Sequence, residues 1–329
     1  MSVLVGDIGG TKTGLAVAEL SQEAANGITL SLERRYPSAE FASLADIVER
    51  FVEETGADCE VASFAIAGPV VDDRSKTTNL PWELDARAWA DRLGFRRARL
   101  LNDLEAVAWG VAALGDGDLA ELQSGGSDAG QGGNACVVAA GTGLGEAGLY
   151  WDGNRHHAFA TEGGHADFAP TNDREFGLLK HLQQRFGHVS WERVVSGMGI
   201  GNLYLFLAQS HHAEHPAAVA TALASDGDLA AAVAAEAAAG CPLCAETMDL
   251  FALLYGREAG NMALKHMALG GVFLGGGIAP KNLDLLRNGG FMRGFLDKGR
   301  MRPLMQRMPV RVILEPRTPL FGAARFLLS

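Results

Sequence analysis

Five short stretches carry residue types suited to chemistry on polar, phosphorylated molecules. The first is Asp7-Ile8-Gly9-Gly10-Thr11-Lys12. Gly9 and Gly10 permit backbone angles closed to other residues and let a ligand approach the main chain. Thr11 adds a hydroxyl and Lys12 a cation, a combination that suits a phosphate-binding turn. The second is Gly141-Thr142-Gly143-Leu144-Gly145, again glycine with threonine. The third is Asn102-Asp103, an amide beside a carboxylate. The fourth, Glu162-Gly163-Gly164-His165, presents a carboxylate and an imidazole within one turn, and these suit sugar hydroxyls as hydrogen-bond partners. The fifth, Gly275-Gly276-Gly277, is a turn where an adenine or ribose can lie against backbone.

The elements around these stretches must position them. Val3-Leu4-Val5 reads as a buried strand and Leu15 to Ala18 as a second, so the opening is strand–turn–strand. Gly6 to Thr13 lies one residue away from the pattern G-x-x-x-x-G-K-[ST], but that loop must run into a helix, and Gly14 followed by Leu-Ala-Val-Ala offers no cap and little helical period. An ordinary hairpin with no ligand is the competing reading. Thr29 to Tyr36 predicts a third strand, Leu44 to Glu54 a helix capped by Ser43 and ended by Gly56, and Val61 to Ala67 a buried strand. Thr77 to Trp82 predicts a loop, Asp85 to Leu93 a helix, and Arg99 to Leu101 a strand with Asn102-Asp103 at its carboxyl end. Leu104 to Leu114 continues as a helix. In open α/β sheets ligands bind beyond the carboxyl ends of strands, so a carboxylate there has two readings, a positioned base or a helix cap.

Gly125 to Asn134 is a glycine-rich loop, after which Ala135 to Ala140, the Gly141 turn and Ala147 to Trp151 repeat the opening layout. Two such hairpins imply a duplication, with two phosphate turns able to hold a nucleotide from both sides. Helices are expected at Asp173–Phe186, at a short turn carrying Glu192, at Met198–Ala208, Pro216–Leu223 and Leu229–Ala239, and as one long buried helix over Leu243–Leu269 with Gly256 and Gly260 as close-packing points. A strand at Val272–Leu274, another at Val310–Leu314 and a helix over Leu320–Leu328 complete the expectation.

The 329 residues fit two domains, and a charged fraction of 20% with a hydrophobic fraction of 48% is that of a globular protein. A net charge of −11 argues against nucleic acid, whose phosphates need a basic surface. Arg287 to Arg325 is locally basic, which reads as a solvated face or as proximity to a nucleotide. No secretory leader is read at the amino end, no apolar run is long enough to span a bilayer, and the four cysteines form no disulfide framework, so the expectation is a cytoplasmic protein without a membrane partner. Cys241-Pro242-Leu243-Cys244 lacks a second ligand pair for zinc and a preceding strand for redox work, and reads as two small residues at a helix start. His211, His212 and His215 have helical spacing within a polar break.

An ordered set of motifs spans nearly the whole chain: GDIGGTK at Gly6–Lys12, AIAGPV at Ala65–Val70, TNLPW at Thr78–Trp82, LLNDLEAVA at Leu100–Ala108, AAGTGLGEA at Ala139–Ala147, EGGHADFAP at Glu162–Pro170, GHVSWERVVSG at Gly187–Gly197, GGVFLGGGIAP at Gly270–Pro280 and FLDKGRM at Phe295–Met301. Each alone is weak; the ordered set resembles the bacterial glucokinases, ATP-dependent hexose kinases of the sugar kinase–actin–heat-shock-ATPase superfamily. The resemblance implies an α/β, two-domain, ribonuclease H-like, actin-like ATPase fold of hexokinase type. Its phosphate turns are duplicated hairpins and its active-site cleft lies between domains, a small one of residues 1–113 with 316–329 and a large one of residues 114–315. It further implies phosphorylation of glucose at the 6-hydroxyl, ATP with Mg²⁺ as cofactors, and a homodimer. By position Asp103 resembles the catalytic base, and Asn102, Asp103, Glu162, His165 and Glu192 the glucose ligands. Gly9-Gly10-Thr11 and Gly141-Thr142-Gly143 resemble the two phosphate turns, and Gly275-Gly276-Gly277 the adenosine motif. Mg²⁺ would be carried mainly by ATP phosphates, with Asp7 reaching it through water and no protein-held metal. Related sugar kinases carry a cysteine-rich zinc motif after the EGGH-like stretch; Ala169-Pro170-Thr171 stands there instead, so no structural zinc is expected. Lys12 receives no role. A kinase for another hexose (mannose, fructose or N-acetylglucosamine) and a non-catalytic sugar-sensing protein are the alternatives, the latter needing an amino-terminal helix-turn-helix where a strand is read.

Overall fold

The computed structural model describes residues 2–20, 27–76, 80, 82–126, 132–225 and 227–327. Of the Thr77–Trp82 loop, Thr77, Thr78, Asn79 and Pro81 lie outside the described residues, as do the middle of the Gly125–Asn134 loop and Leu328. The chain divides into two compact units, one of Met1–Leu119, Gly148–Ala160 and Leu314–Ser329, the other of Ala120–Ala147 and Thr161–Ile313.

Unit 1 starts with β1 (Ser2–Ile8), β2 (Lys12–Leu20) and β3 (Ile28–Pro37), followed by α1 (Leu44–Thr55) and β4 (Val61–Ile66). A small ribbon of β5 (Arg74–Lys76) and β6 (Glu83–Asp85) leads to α2 (Ala86–Leu93), β7 (Arg97–Asn102) and α3 (Asp103–Val111). The five-stranded sheet runs β3-β2-β1-β4-β7, antiparallel across β1–β2–β3 and parallel across β1–β4–β7. Alternate residues of its strands feed two cores. Leu4, Ile8, Phe64, Ile66 and Leu100 face α1 and α2, while Val3, Val5, Ala65 and Leu101 share a core with Leu320 and Phe321. Every residue of β4 is buried, as expected of a central parallel strand covered on both faces. The expected caps are present: Ser43 accepts from Asp46 N at the start of α1, and Gly56 closes it at φ 66°.

Unit 2 contains most of a six-stranded sheet. Its strands are β8 (Leu119–Gln123), β9 (Ala135–Ala140), β10 (Leu144–Trp151), β11 (His156–Thr161), β12 (Gly271–Gly275) and β13 (Val310–Ile313), in the order β11-β10-β9-β12-β13-β8. Leaving out β8, this is the strand order of unit 1 repeated, which is the duplication read from the two glycine–threonine turns. The helices are α4 (Asp173–Phe186), α5 (Gly197–His211), α6 (Ala217–Ala224), α7 (Leu229–Ala238) and the 25-residue α8 (Pro242–His266). Short helices α9 (Ile278–Lys281), α10 (Leu283–Arg287), α11 (Gly290–Leu296) and α12 (Arg302–Met305) follow. Gly256 and Gly260 are close-packing points, since a Cβ at Gly256 would overlap the Phe291 carbonyl of α11 and one at Gly260 would stand 2.8 Å from that of Phe295. Cys241 caps α8 and Cys244 is buried in its first turn. His211 and His215 bond to different groups, Glu246 and the Tyr204 hydroxyl.

Returning to unit 1, α13 (Thr318–Phe326) lies along α3. The approach is allowed by two glycines: a Cβ on Gly110 would overlap the Thr318 carbonyl, and one on Gly322 the Ala106 carbonyl.

Candidate active site

In unit 1 the hairpin turn and the Asn102-Asp103 pair sit at one edge of the sheet. Ile8 pairs with Ile66, and Ile66 with Asn102, so the turn after β1 and the start of α3 follow the carboxyl ends of parallel strands at the same level. That is the edge where open α/β sheets bind ligands. Gly9 N donates to the Lys12 carbonyl at 3.0 Å, closing the turn. Ser38 holds it from the side: its hydroxyl donates to the Gly9 carbonyl at 2.8 Å and its N–H to the Thr11 carbonyl at 3.1 Å, while Thr13 Oγ1 lies 3.0 Å from Ser38 Oγ. Thr11 and Lys12 are exposed. Ser38 was not foreseen; its one sequence signal is its place after the Pro37 that ends β3.

Asn102 and Asp103 stand differently at the helix start. The cap is Asn102, whose Oδ1 accepts from Leu104 N at 2.9 Å and Glu105 N at 3.2 Å. Its Nδ2 donates to the Gly68 carbonyl at 3.1 Å, which leaves one amide N–H for another partner. Asp103 is the first helical residue, half-buried, with Oδ1 accepting from Leu104 N at 2.9 Å. Asp7, at the end of β1, accepts no side-chain hydrogen bond among the described residues. Burial pushes its carboxyl up to about 6, against a smaller opposing pull from Arg35.

In unit 2 the residues expected to meet sugar and phosphate converge on the start of β10. The turn Gly141-Thr142-Gly143 is closed by Gly141 N donating to the Gly143 carbonyl at 2.9 Å, and tied to α5 by Gly197 N donating to the Gly141 carbonyl at 2.8 Å. Beside it, Gly275 pairs with Ala139. Gly276 has φ 76°, and a Cβ there would overlap the Ala140 carbonyl, so backbone angle and space both require glycine. Around Gly141 and Gly277 the space is open within 4 Å of where a Cβ would stand.

The EGGH stretch is a single 3₁₀ turn, Gly163–His165, seated on β10. A Cβ on Gly164 would overlap the Leu144 carbonyl, and one on Gly163 the Glu146 carboxyl. Thr161 Oγ1 donates to the Glu146 carbonyl at 2.9 Å and accepts from Gly163 N at 3.2 Å. Glu162 and His165 then project into solvent, 3.9 Å apart, with side chains 63% and 60% exposed. Glu192 belongs to a second 3₁₀ turn, Trp191–Arg193. Trp191 anchors that turn through its N–H to the Ala166 carbonyl and by packing edge-on to Phe168. The Glu192 carboxylate lies over Gly143 and accepts from Leu144 N at 3.0 Å, so it reaches the Gly141–Gly143 turn. Ser196, the α5 cap, donates to the Glu192 carbonyl at 2.7 Å. Ser196 was legible as a serine before a helix; Glu146 carried no local signal.

Unit 1 thus presents a carboxylate beside a phosphate-type turn, and unit 2 a second such turn beside a sugar-type polar cluster. The family model described as Glucokinase matches residues 4–329. The chain is 42% identical to a glucokinase of Nostoc punctiforme over 98% of this chain and 97% of that protein. It superposes on the crystal structure of a glucokinase from an Antarctic psychrotroph with TM-score 0.86 at 30% identity, covering 99% and 98% of the two chains. The fold alone is shared, at TM-score 0.66 and 21% identity over 99% of each chain, with a glucokinase of the ROK family from Streptomyces griseus in complex with glucose and AMPPNP. On the family match over residues 4–329 and the 42% identity over nearly the whole chain, this chain belongs to the glucokinase family.

Proposed function

We propose that this chain transfers the terminal phosphoryl group of ATP to the 6-hydroxyl of glucose, with Asp103 as the base. The observation that carries the reading is the register Ile8–Ile66–Asn102, which sets a half-buried carboxylate at the same sheet edge as a phosphate-type turn. Phosphoryl transfer to a hydroxyl is mostly positioning and charge stabilisation. Asp103 orients the hydroxyl and takes its proton. With a loose transition state, an aspartate of ordinary basicity suffices. The remaining Asn102 N–H meets a neighbouring hydroxyl. Glu162, His165 and Glu192 hold hydroxyls towards the anomeric end. Backbone N–H groups of Gly9-Gly10-Thr11 and Gly141-Thr142-Gly143 face phosphates, and Gly275-Gly276-Gly277 leaves backbone open to the nucleoside.

Asp7 fits a magnesium ion held through water: its desolvated carboxylate has no donor of its own among the described residues, and hard cations take oxygen ligands. Bound with the nucleotide, Mg²⁺ would neutralise phosphate charge. A homodimer and a cytoplasmic place, where ATP and reduced thiols coexist, belong to the same proposal; light scattering checks the first. Among the described residues no single helix is long and apolar enough to cross a membrane.

The test is Asp103→Asn. Turnover should fall by about 10²–10⁴, while glucose binding, followed by tryptophan fluorescence, survives. Near-normal turnover would leave Asp103 as nothing more than the first residue of α3.

A further inference from the structure

Glu146 and Glu258 are two carboxylic acids buried against each other, 1% and 0% exposed, where none of the chemistry above uses them. Glu146 is on β10 and Glu258 on α8. If both were ionised, both carboxyl oxygens of Glu146 and Oε1 of Glu258 would face no donor. One proton between the two carboxyls pairs two of these three oxygens. Glu146 keeps it and donates to Glu258, whose Oε2 accepts from Asn261 Nδ2 at 2.8 Å. Lys298 supports that side, donating to Asn261 Oδ1 at 2.7 Å and to the Arg257 carbonyl at 3.0 Å. The other groups facing Glu146 are Lys265 of α8, which attracts its ionised form, and the buried Cys136 of β9 and Tyr255 of α8. Tyr255 is occupied, its hydroxyl donating to the Val138 carbonyl at 2.9 Å.

The free side of Glu146 touches the sugar loop. Its Oε2 fills the space where a Cβ of Gly163 would be, and its carbonyl accepts the Thr161 hydroxyl that in turn receives Gly163 N. Gly163 stands between Glu162 and His165. The loop therefore rests on the carboxyl group.

We propose that Glu146 is a positioning residue for sugar binding: its neutral carboxyl, bonded to Glu258, is the seat of Gly163, and ionising it unseats the loop that carries Glu162 and His165. The proposal rests on the assignment of Glu162 and His165 to the sugar. Its physical basis is that two ionised carboxylates cannot stay in contact in a buried site, so losing the proton drives them apart or draws water between them. Burial first, and the Glu258 charge second, push Glu146 up to about 8; Glu258 is raised as well, by burial. For an acid raised in this way, the seated form holds below that pH and is lost above it. Mild alkali is thus the range in which glucose should loosen.

The experiment is equilibrium glucose binding, followed by tryptophan fluorescence between pH 6.5 and 9.5, on wild type, Glu146→Gln, Glu258→Gln and Glu162→Gln, with the KM–kcat split measured alongside. In wild type the glucose Kd should rise steeply above about pH 8, approaching tenfold per pH unit for a single proton, with the KM for ATP flat. Glu146→Gln cannot ionise, and its amide can still donate to Glu258, so its glucose Kd should stay flat. Wild type and Glu146→Gln loosening in parallel would overturn the proposal. Should Glu146→Gln fail to fold, Glu258→Gln decides: it puts an amide that can donate to ionised Glu146 in place of the repelling charge, so the steep rise in glucose Kd above about pH 8 should be lost, and a rise like that of wild type overturns the proposal. If Glu162→Gln binds glucose as wild type does, the sugar assignment falls and the proposal with it. If Glu162→Gln binds weakly while Glu146→Gln titrates like wild type, only the role of Glu146 falls.

Discussion

Asn102 and Asp103 are neighbours with different tasks, and the helix start explains the division. A cap residue needs extended backbone and gives its side chain to the first turn; Asn102, at ψ 147°, does both. Asp103 after it shares the Leu104 N–H with that cap and is carried on a rigid element. The sequence offered the pair but not the split, because either residue type can cap. Asp7, placed by the proposal near the metal, shows another cost: a carboxylate kept partly out of water with no side-chain donor among the described residues. Since burial raises its pKa, the ionised form present at neutral pH weakens the fold. Asp7→Asn should therefore raise the stability of the ligand-free protein at pH 7 by roughly 1–3 kcal/mol and lower its activity, as seen by denaturant unfolding beside a rate assay. An equal or lower midpoint would show that desolvation is not what Asp7 contributes.

Elements differed in how legible they were. β1, β4, β9 and β12 were plain as apolar runs, since strands covered on both faces leave no polar alternation to misread. β11 was missed because it carries two histidines and has no buried residue, and β8 because five mixed residues show no period. The helices between Ile278 and Met305 were missed for a similar reason: each spans one or two turns, too short for a periodic signal. Contacts between distant elements left no local trace. Glu146 meets Glu258, and Gly110 meets Thr318, only once the chain is folded. The glycine turn after β12 yields a prediction at this scale. Gly276→Ala meets both a strained φ and the Ala140 carbonyl, so it should cost about 2 kcal/mol or more. Gly277→Ala has open space and should leave the melting temperature within a degree or two; any rise in its KM for ATP then reports the nucleotide itself. Equal destabilisation by both variants would contradict the geometry. Gly322→Ala should lower stability by about 1–3 kcal/mol and slow turnover by tilting α3 beneath Asp103. A stable Gly322→Ala with normal turnover would show that the α3–α13 contact gives way without moving the carboxylate.

At the scale of the whole molecule, the chain uses one strand order twice and braces the two glycine turns differently. The copy with Asp103 has its hairpin turn braced by Ser38, and the copy with Glu162 has its turn braced by α5. Duplication was readable from two glycine–threonine turns because they are the part of the repeat under the tightest backbone constraint; the sheets around them share order rather than sequence. The closing segment matters in the same way. Leu320, Phe321, Ala323 and Ala324 are buried in a core with Val3, Val5 and Leu101. A chain cut after Ile313 should therefore lose the cooperative melting of unit 1 while unit 2 keeps its own, by calorimetry or hydrogen exchange; an unchanged unit 1 would make α13 dispensable.

The glycine-to-carbonyl seam between α3 and α13 also has a consequence in time. Roughly two hundred residues separate the two helices, and a ribosome adds about 5–20 residues per second. The helix that begins with Asp103 thus leaves the ribosome on the order of ten to forty seconds before its partner. Through that interval one face of the first sheet has only α3 over it, and the nascent chain leaves part of the Val3, Val5 and Leu101 surface open to whatever chaperone or neighbour it meets. The first unit to be translated is the last that can be finished.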